Sequence, residues 1–300
     1  MVQGEFKVGF EGIAGSHSED ALMQLFHSQS HFKNKLKESK PFVSFETVCE
    51  AVKNGSIDLG IVPIENSIAG TFFGVLDLLS KYDLHIVGEY EHEEKQCLVG
   101  WSGATLSSLV EIHSHPYAFD QCRPFLGTLT GKKLVQSLDT AFSCKHIQES
   151  KSNTVAAIAS ERAAKMYGLQ VLEVIGSPAV TRYALVSKTP ITPERHLLPR
   201  TSLEVVLKNQ IGAFAKAITV FSHRDINISK IESRPSSRSI RLQKPWEYSV
   251  YIDVDCGTSD DRMGKAIANL QEFGQVRVLG SYPRYQQPIE DLAGVYSFGV

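Results

Sequence analysis

Apolar residues along the first 188 positions recur with two spacings that alternate along the chain. Short apolar runs of strand length are followed by stretches in which apolar residues repeat every three to four positions, the spacing of one helix face. The predicted strands cover residues 6–10, 42–45, 57–64, 84–87, 96–101, 110–112, 133–135, 155–158, 171–175 and 183–186. The predicted helices cover residues 18–27, 46–54, 74–82, 117–126, 139–149 and 160–167. This alternation favours an α/β fold, in which the strands at 84–87 and 96–101 join two halves of a bilobed domain.

A proline-rich segment separates this region from a second pattern. Pro190, Pro193 and Pro199 lie close together, and neither a helix interior nor a central strand would accept them. Residues 189–200 are therefore predicted to link a domain at 1–188 to one at 201–283, with a tail at 284–300. The second domain has predicted strands at 202–207, 227–233, 248–255 and 276–281 and helices at 212–223 and 260–271, the βαββαβ order of a ferredoxin-like fold. Its basic stretch, 234–244, is interpreted as a solvated loop.

Charge and composition exclude several classes of partner. Lys and Arg number 31 against 33 Asp and Glu, a balance that gives no electrostatic reason to expect nucleic acid or an anionic membrane. No apolar run approaches the roughly 18 residues of a membrane-spanning helix, and the N-terminus shows no signal-peptide pattern. The five cysteines are widely spaced, so neither a disulfide framework nor a zinc cluster is expected, and a cytoplasmic compartment is predicted.

Three segments carry side chains suited to a site. Residues 12–18 form a glycine-containing turn before a helix, where free N–H groups could bind an anion, although an ordinary capping turn is the better interpretation. Glu65, Asn66 and Ser67 follow a buried strand, at the edge where α/β proteins bind ligands, but a plain Asx-capped turn is equally consistent. Thr181 and Arg182 precede a strand and suit a carboxylate substrate that needs a proton donor, although exposed arginines are common at strand starts.

The same segments resemble motifs of the prephenate dehydratases and their plant relatives, the arogenate dehydratases. Residues 60–67 (Gly-Ile-Val-Pro-Ile-Glu-Asn-Ser), 114–116 (Ser-His-Pro), 154–160 (Thr-Val-Ala-Ala-Ile-Ala-Ser) and 181–183 (Thr-Arg-Tyr) are similar to catalytic-domain motifs of that family. Residues 212–214 (Gly-Ala-Phe) and 230–235 (Lys-Ile-Glu-Ser-Arg-Pro) are similar to motifs of its regulatory ACT domain. The resemblance runs in one consistent order from residue 8 to residue 283, and its end looks most like the plant branch.

The resemblance implies a bilobed catalytic domain of the periplasmic-binding-protein type with its active site between the lobes. The implied reaction is the decarboxylating dehydration of prephenate to phenylpyruvate, or of arogenate to phenylalanine, with neither cofactor nor metal. The implied catalytic residues are Thr181, as a positioned proton relay, with Glu65, Asn66 and Ser67; the implied substrate-binding residues are Ser16, His115, Tyr117, Arg182 and Tyr183. We expect the 181–182 pair to meet the 65–67 turn across the gap between the lobes.

The ACT resemblance implies that phenylalanine binds as an effector between two such domains of a homodimer or homotetramer. The implied effector-binding residues are Gly212, Ala213, Phe214, Asn227, Ile228, Glu232, Ser233 and Arg234. Effector binding would close the catalytic cleft, a coupling typically worth 1–3 kcal/mol. The plant-like end of the chain adds a plastid, after removal of a leader, as a second candidate compartment.

The chain departs from the family pattern at several positions. Tyr117 stands where the family has glutamine, His17 where it has an aromatic residue, and Phe214 where it has leucine, while residues 175–180 lack its Asp or Asn. These departures keep two alternatives open. One is a decarboxylase of the same fold that retains the ring hydroxyl, and the other is a non-catalytic protein that senses an amino acid or binds a partner.

Overall fold

The computed structural model describes residues 4–29, 32–235 and 247–285. They divide into two compact units, the first formed by the described parts of Met1–His85 and Tyr90–Thr189 and the second by those of Ile86–Glu89 and Pro190–Val300. Most of the basic stretch at 234–244 and most of the tail at 284–300 lie outside the described residues. No helix among the described residues is long and apolar enough to cross a membrane.

The first unit is an α/β structure with two parallel strand groups, each bordered by an antiparallel long strand. Its strands are β1 (Phe6–Glu11), β2 (Leu36–Phe42), β3 (Leu59–Asn66), β4 (Gly70–Thr71), β5 (His85–Gly100, except Ile86–Glu89, which belong to the second unit), β6 (Glu111–Ser114), β7 (Lys133–Gln136), β8 (Val155–Ala159) and β9 (Gln170–Ser187). Its helices are α1 (His17–Ser28), α2 (Phe45–Asn54), α3 (Phe73–Tyr82), α4 (Pro116–Gln121), α5 (Arg123–Leu126), α6 (Thr140–Ser150) and α7 (Glu161–Met166). Strand β1 pairs in parallel with β2 and β3, and β6 pairs in parallel with β7 and β8. The long strands are antiparallel to these groups, β9 beside β3 and β5 beside β8.

Each long strand replaces two shorter predicted ones. The predicted strands 84–87 and 96–101 are one strand, β5, and the predicted strands 171–175 and 183–186 are one strand, β9. The middle of β5 was not predicted as a strand because its buried face is polar. His92, Glu94 and Gln96 are buried while Glu93 and Lys95 between them are exposed, the period-2 alternation of a strand carried by polar side chains.

Two further predictions were wrong for reasons of backbone chemistry. The strand predicted at 42–45 is β2, at Leu36–Phe42. Among the described strands it pairs only with β1, and as an edge strand it is mostly polar and tolerates Pro41. The helix predicted at 117–126 is two short helices, α4 and α5. Pro124 has no N–H to donate a hydrogen bond within a continuing helix. It lies instead in the first turn of α5, where no such N–H is needed.

The second unit has the predicted βαββαβ order. Its elements are β10 (Pro199–Leu207), α8 (Ala213–Ser222), β11 (Ile228–Pro235), β12 (Tyr248–Val254), α9 (Asp261–Phe273) and β13 (Gly274–Pro283), preceded by a short 3-10 helix at Arg195–Leu197. The strands are antiparallel in the order β11-β12-β10-β13, which confirms the ferredoxin-like prediction. Leu203, Phe221, Ile252 and Leu270 belong to the buried core of this unit, which the two helices form with the sheet.

Candidate active site

A cleft in the first unit encloses about 510 Å³, counted with its open mouth. The cleft is open to solvent, and aromatic and polar side chains converge in it, as is typical of a small-molecule site. Its walls come from the end of β1, the turn into α1, the middle of β5 and β9, and the starts of α4 and α6. The lining residues are Glu11, Ser16, His17, Ser18, Phe45, Pro63, Phe72, Glu94, Gln96, His115, Tyr117, Ala118, Gln121, Asp139, Thr140 and Tyr183.

The turn between β1 and α1 is fixed by its backbone. Ser16 caps α1, and its Oγ accepts a hydrogen bond from the Glu19 N–H at 3.3 Å. The N–H of Ile13 donates to Asp139 Oδ2 at 2.8 Å, which ties the turn to the start of α6. Gly12 has φ +104, and a Cβ there would lie 2.7 Å from Asp139 Oδ2, so the close approach requires glycine.

A buried carboxylate, that of Glu94, organises the cleft wall. Gln121 Nε2 donates to it at 2.8 Å, the Tyr183 hydroxyl donates at 3.1 Å, and Thr181 also contributes a side-chain hydrogen bond. Burial opposes ionisation of this carboxyl, but nearby His17 and these hydrogen bonds outweigh it and hold the pKa of Glu94 below its usual range. Glu94 is thus a fixed negative charge at the cleft.

Thr181 lies directly behind this wall. It is 1% exposed, and its Oγ1 accepts a hydrogen bond from Asn66 Nδ2 at 2.7 Å. The Asn66 amide is held in that orientation because its Oδ1 accepts from the N–H groups of Ile68 at 2.9 Å and Ala69 at 2.8 Å. An ionised carboxylate accepts but does not donate, so in the side-chain hydrogen bond that lowers the pKa of Glu94 the Thr181 hydroxyl is the donor.

The other predicted residues of these motifs form a rim beside Thr181. Arg182 pairs with Glu65 at 2.8 Å, and Ser67 Oγ accepts from the Val180 N–H at 3.0 Å. Strands β3 and β9 are adjacent, with Glu65 opposite Arg182. The predicted clusters therefore do meet, but as neighbours on paired strands, and the expectation that they face each other across a gap is wrong. Successive side chains of a strand point to opposite faces, so Arg182 is directed away from the face that Thr181 and Tyr183 share.

Four predicted substrate-binding residues line the cleft: Ser16, His115, Tyr117 and Tyr183. His115 caps α4, with its Nδ1 accepting from the Tyr117 N–H at 3.3 Å. The two rings stack at 5.4 Å between centroids, and Tyr117 also contacts Phe72 at 4.3 Å. Burial lowers the pKa of His115, opposed by the charge of Glu94. Glu65, Asn66, Ser67, Thr181 and Arg182 are not among the lining residues.

The sequence analysis assigns no role to several polar groups of the lining, among them Glu11, Glu94, Gln96, Gln121 and Asp139. Polar residues at every second position, His92, Glu94 and Gln96, are the sequence signal that could have identified Glu94 and Gln96. Gln96 Nε2 donates to Gln121 Oε1 at 2.8 Å and lies 3.2 Å from His17 Nε2, so an amide relay connects His17 with Glu94.

Two of these groups are neighbouring acids with raised pKa values. Burial, and then the charge of Asp139, raise the pKa of Glu11 to about 8. Burial also raises the pKa of Asp139, although N–H groups of Ile13, Ala141 and Phe142 act in the opposite direction. The pair therefore retains at least one proton at neutral pH.

The predicted effector residues lie in the second unit. Gly212, at φ +75, precedes α8, where Ala213 is buried and Phe214 is 45% exposed. Asn227 Nδ2 donates to Asp255 Oδ2 at 2.7 Å. Along β11, Ile228, Glu232 and Arg234 are half-buried and Ser233 is exposed. Their role in effector binding stays a prediction.

Two protein families match this chain, one over each of the two regions of the sequence. The sequence model of the prephenate dehydratase family matches residues 8–191, and that of the ACT domain matches residues 201–272. An arogenate dehydratase/prephenate dehydratase of Arabidopsis thaliana, described as chloroplastic, is 36% identical over 287 residues, which is 92% of this chain and 72% of the relative.

Two solved structures are similar over most of the chain. The prephenate dehydratase of Arthrobacter aurescens, solved in complex with L-Phe, is 31% identical with a TM-score of 0.78, covering 93% of this chain and 90% of that one. A quorum-quenching acylase, GqqA, is 28% identical with a TM-score of 0.74, covering 93% of this chain and 98% of that one.

Proposed function

Because the chain belongs to the prephenate dehydratase family and carries an ACT domain, we propose that its cleft converts prephenate to phenylpyruvate or arogenate to phenylalanine. The reaction breaks two bonds of a cyclohexadiene ring. The electron pair of the bond to the ring carboxylate moves into the ring as carbon dioxide leaves, and the C–O bond opposite breaks with its pair on oxygen. Aromatisation drives the reaction, and the remaining barrier is the departure of hydroxide, a poor leaving group without a proton.

The family match over the catalytic unit carries this proposal, and the cleft supports it. The cleft is open to solvent, and the Tyr117, His115 and Phe72 rings in its lining offer flat apolar surface for a small ring. Ser16, Ser18 and Tyr183 add polar oxygens to the same lining.

We assign Thr181 a positioning role. Its proton is directed at Glu94, and with Tyr183 and Gln121 it fixes that carboxylate in the wall. The Asn66 amide donates a hydrogen bond to Thr181. The Glu65–Arg182 ion pair and the hydrogen bond of Ser67 connect the two segments that carry Asn66 and Thr181. Ser16, His115, Tyr117 and Tyr183 are proposed to contact substrate directly.

The ACT unit is proposed to bind phenylalanine through Gly212–Phe214 and Asn227–Arg234. The Arthrobacter relative was solved with L-Phe, which supports this effector. Ile211 is 100% exposed, and Phe214 and Ile231 on the same unit are also exposed. A second copy of the chain would cover these apolar side chains, which supports a homodimer or a larger homo-oligomer.

The compartment proposed is the plastid or the cytoplasm. The Arabidopsis relative is described as chloroplastic, which supports the plastid. All five cysteines are free and buried, as is usual where thiols stay reduced.

The similarity to the quorum-quenching acylase offers a second activity, hydrolysis of an amide. Amide hydrolysis by a serine needs a hydroxyl activated by an adjacent base. Ser16 Oγ accepts from the Glu19 N–H and donates to the Glu11 carbonyl, and Ser18 bonds Tyr183. These contacts engage both cleft serines in structural bonds, which favours the dehydratase.

Separate incubations with prephenate and arogenate test the proposal. Phenylpyruvate is followed by absorbance and phenylalanine by mass spectrometry, and either product supports it. Carbon dioxide without an aromatic product would show a decarboxylase that retains the hydroxyl. Binding of phenylalanine without turnover would show an amino-acid sensor.

A further inference from the structure

The dehydration needs a proton for the departing hydroxyl, and the structure leaves its source open. The inference below rests on the proposed function. Thr181 is 1% exposed and is not among the described residues that line the cleft, so its hydroxyl is poorly placed to protonate a substrate there. A group that lines the cleft and holds a proton at neutral pH is a better source.

Three carboxyl groups line the cleft, and their partners differ. Glu94 accepts hydrogen bonds from Gln121, Tyr183 and Thr181, which favour its ionised form. Asp139 accepts from three backbone N–H groups, at 2.6 to 3.4 Å. The carboxyl of Glu11 has no hydrogen bond or ion pair with the described residues, and the contact from Ser16 reaches its main-chain oxygen.

These contacts decide which acid keeps its proton. Two neighbouring buried carboxyls do not both ionise readily, and hydrogen-bond donors stabilise the charge on the one that receives them. The backbone N–H groups therefore place the negative charge on Asp139, and the proton stays on Glu11. Glu11 is the last residue of β1, and the next residue, Gly12, packs closely against the Asp139 carboxyl. This arrangement keeps the carboxyls of Glu11 and Asp139 together at the cleft.

We propose that Glu11 is the catalytic acid that protonates the departing ring hydroxyl. The pair of the breaking C–O bond goes to oxygen, the oxygen takes the Glu11 proton, and water leaves. The ring takes the pair released from the carboxylate bond, so no oxidant or reductant is needed. Glu11 remains as a carboxylate beside Asp139 and regains a proton from solvent through the open mouth.

The surroundings of Glu11 agree with this role. The charged and titratable groups of the cleft are His17 on α1, Asp139 before α6, Glu94 on β5, Tyr183 on β9, and His115 and Tyr117 around the start of α4. Burial and Asp139 raise the pKa of Glu11 to about 8, so it is protonated at pH 7. A required acid is lost as pH rises through its pKa, so kcat/KM falls above about pH 8.

The test compares pH profiles of the wild-type chain, Glu11→Gln, Glu11→Asp and the matched control Glu50→Gln, which lies exposed on α2. All four are assayed on one substrate, so any titration of the substrate itself appears in every profile. We expect Glu11→Gln to lower kcat/KM at pH 7 by about 10²–10⁴-fold and to abolish the decline above pH 8. Glu11→Asp should keep a declining limb at lower activity, and Glu50→Gln should match the wild type.

The outcomes separate this proposal from the proposed function. Near-normal activity of Glu11→Gln, or a flat wild-type profile to pH 9.5, overturns the role of Glu11 and leaves the dehydratase standing. A decline that persists in Glu11→Gln but disappears in His17→Asn assigns the proton to His17 and also overturns it. A wild-type chain inactive on both substrates overturns both proposals. If Glu11→Gln does not fold, the role of Glu11 is decided by comparing the pH profiles of kcat/KM for the wild-type chain and Glu11→Asp.

Discussion

Asn66 and Thr181 show how residues that never line the cleft can still determine its charge. The motif resemblance identified both, together with their proximity. It missed that Thr181 donates to Glu94, because Glu94 lies in a polar stretch of β5 that carries no apolar pattern. Glu11 and Asp139 were missed for a related reason. A single carboxyl at a strand end or a helix cap has an ordinary structural explanation, and its neighbour is known only once the chain has folded.

Replacing Thr181 tests the positioning role. Thr181→Ala removes a donor to Glu94 and leaves the buried Asn66 amide without its acceptor. We expect turnover to fall at least about 100-fold because the groups that Thr181 positions shift, with the fold retained by circular dichroism. Thr181→Ser keeps the hydroxyl and should restore most of the activity, whereas Thr192→Ala, at an exposed position, should change nothing. Normal turnover in Thr181→Ala would remove this residue from the site.

Gly12 offers a test of the turn that carries Glu11. An added Cβ would lie 2.7 Å from Asp139 Oδ2, and the residue has φ +104. Gly12→Ala is therefore expected to lower the free energy of unfolding by about 1–3 kcal/mol, measured in urea, and to lower kcat as well. Gly74→Ala, where a Cβ meets nothing within 4 Å, is the control and should not destabilise the chain. Equal stability of the two variants would contradict the close approach.

At the scale of elements, hydrophobic spacing predicted well wherever one face is apolar. It located β1, β3 and β8 and the helices α1, α2, α3 and α6 to within a few residues. It failed along β5, where the buried face holds His92, Glu94 and Gln96, and therefore the cleft wall was missed together with the strand. The stretch that the prediction missed is also the stretch that forms the cleft wall. Buried polar side chains need hydrogen-bond partners, and such groups of partners are common at functional sites.

The elements around the cleft also determine its charge. The described lining residues include two ionised carboxylates, Glu94 and Asp139, and the protonated Glu11, but neither lysine nor arginine. Arogenate carries an ammonium group where prephenate carries a keto group, so it is the less anionic of the two. We expect kcat/KM for arogenate to exceed that for prephenate by about 10-fold, a difference of about 1.4 kcal/mol. A preference for prephenate, measured in parallel assays, would contradict the influence of these carboxylates.

For the whole molecule, the order of the motifs predicted a catalytic unit followed by a ferredoxin-like ACT unit, and the topology of the second unit confirms the latter. The sequence could not predict that Ile86–Glu89, within β5, belong to the second unit. A four-residue segment that belongs to a unit far away in the sequence leaves no local pattern of its own.

Ligand binding to the ACT unit has a thermodynamic consequence for the whole chain. A ligand that binds only the folded state stabilises it by about 2.7 kcal/mol when present at 100 times its Kd. L-phenylalanine is expected to raise Tm in a concentration-dependent way, with D-phenylalanine as the control. A Tm that does not move at millimolar L-phenylalanine would contradict an intact effector site, with Phe214 the first position to examine.

The dehydratase assignment itself is tested most directly by stoichiometry. Purified chain is supplied with arogenate and prephenate together, and carbon dioxide and aromatic products are quantified from the same reaction. The account predicts one carbon dioxide for each phenylalanine or phenylpyruvate formed, with release of the ring hydroxyl as water. Carbon dioxide in excess of aromatic product, or unchanged substrates, would contradict it.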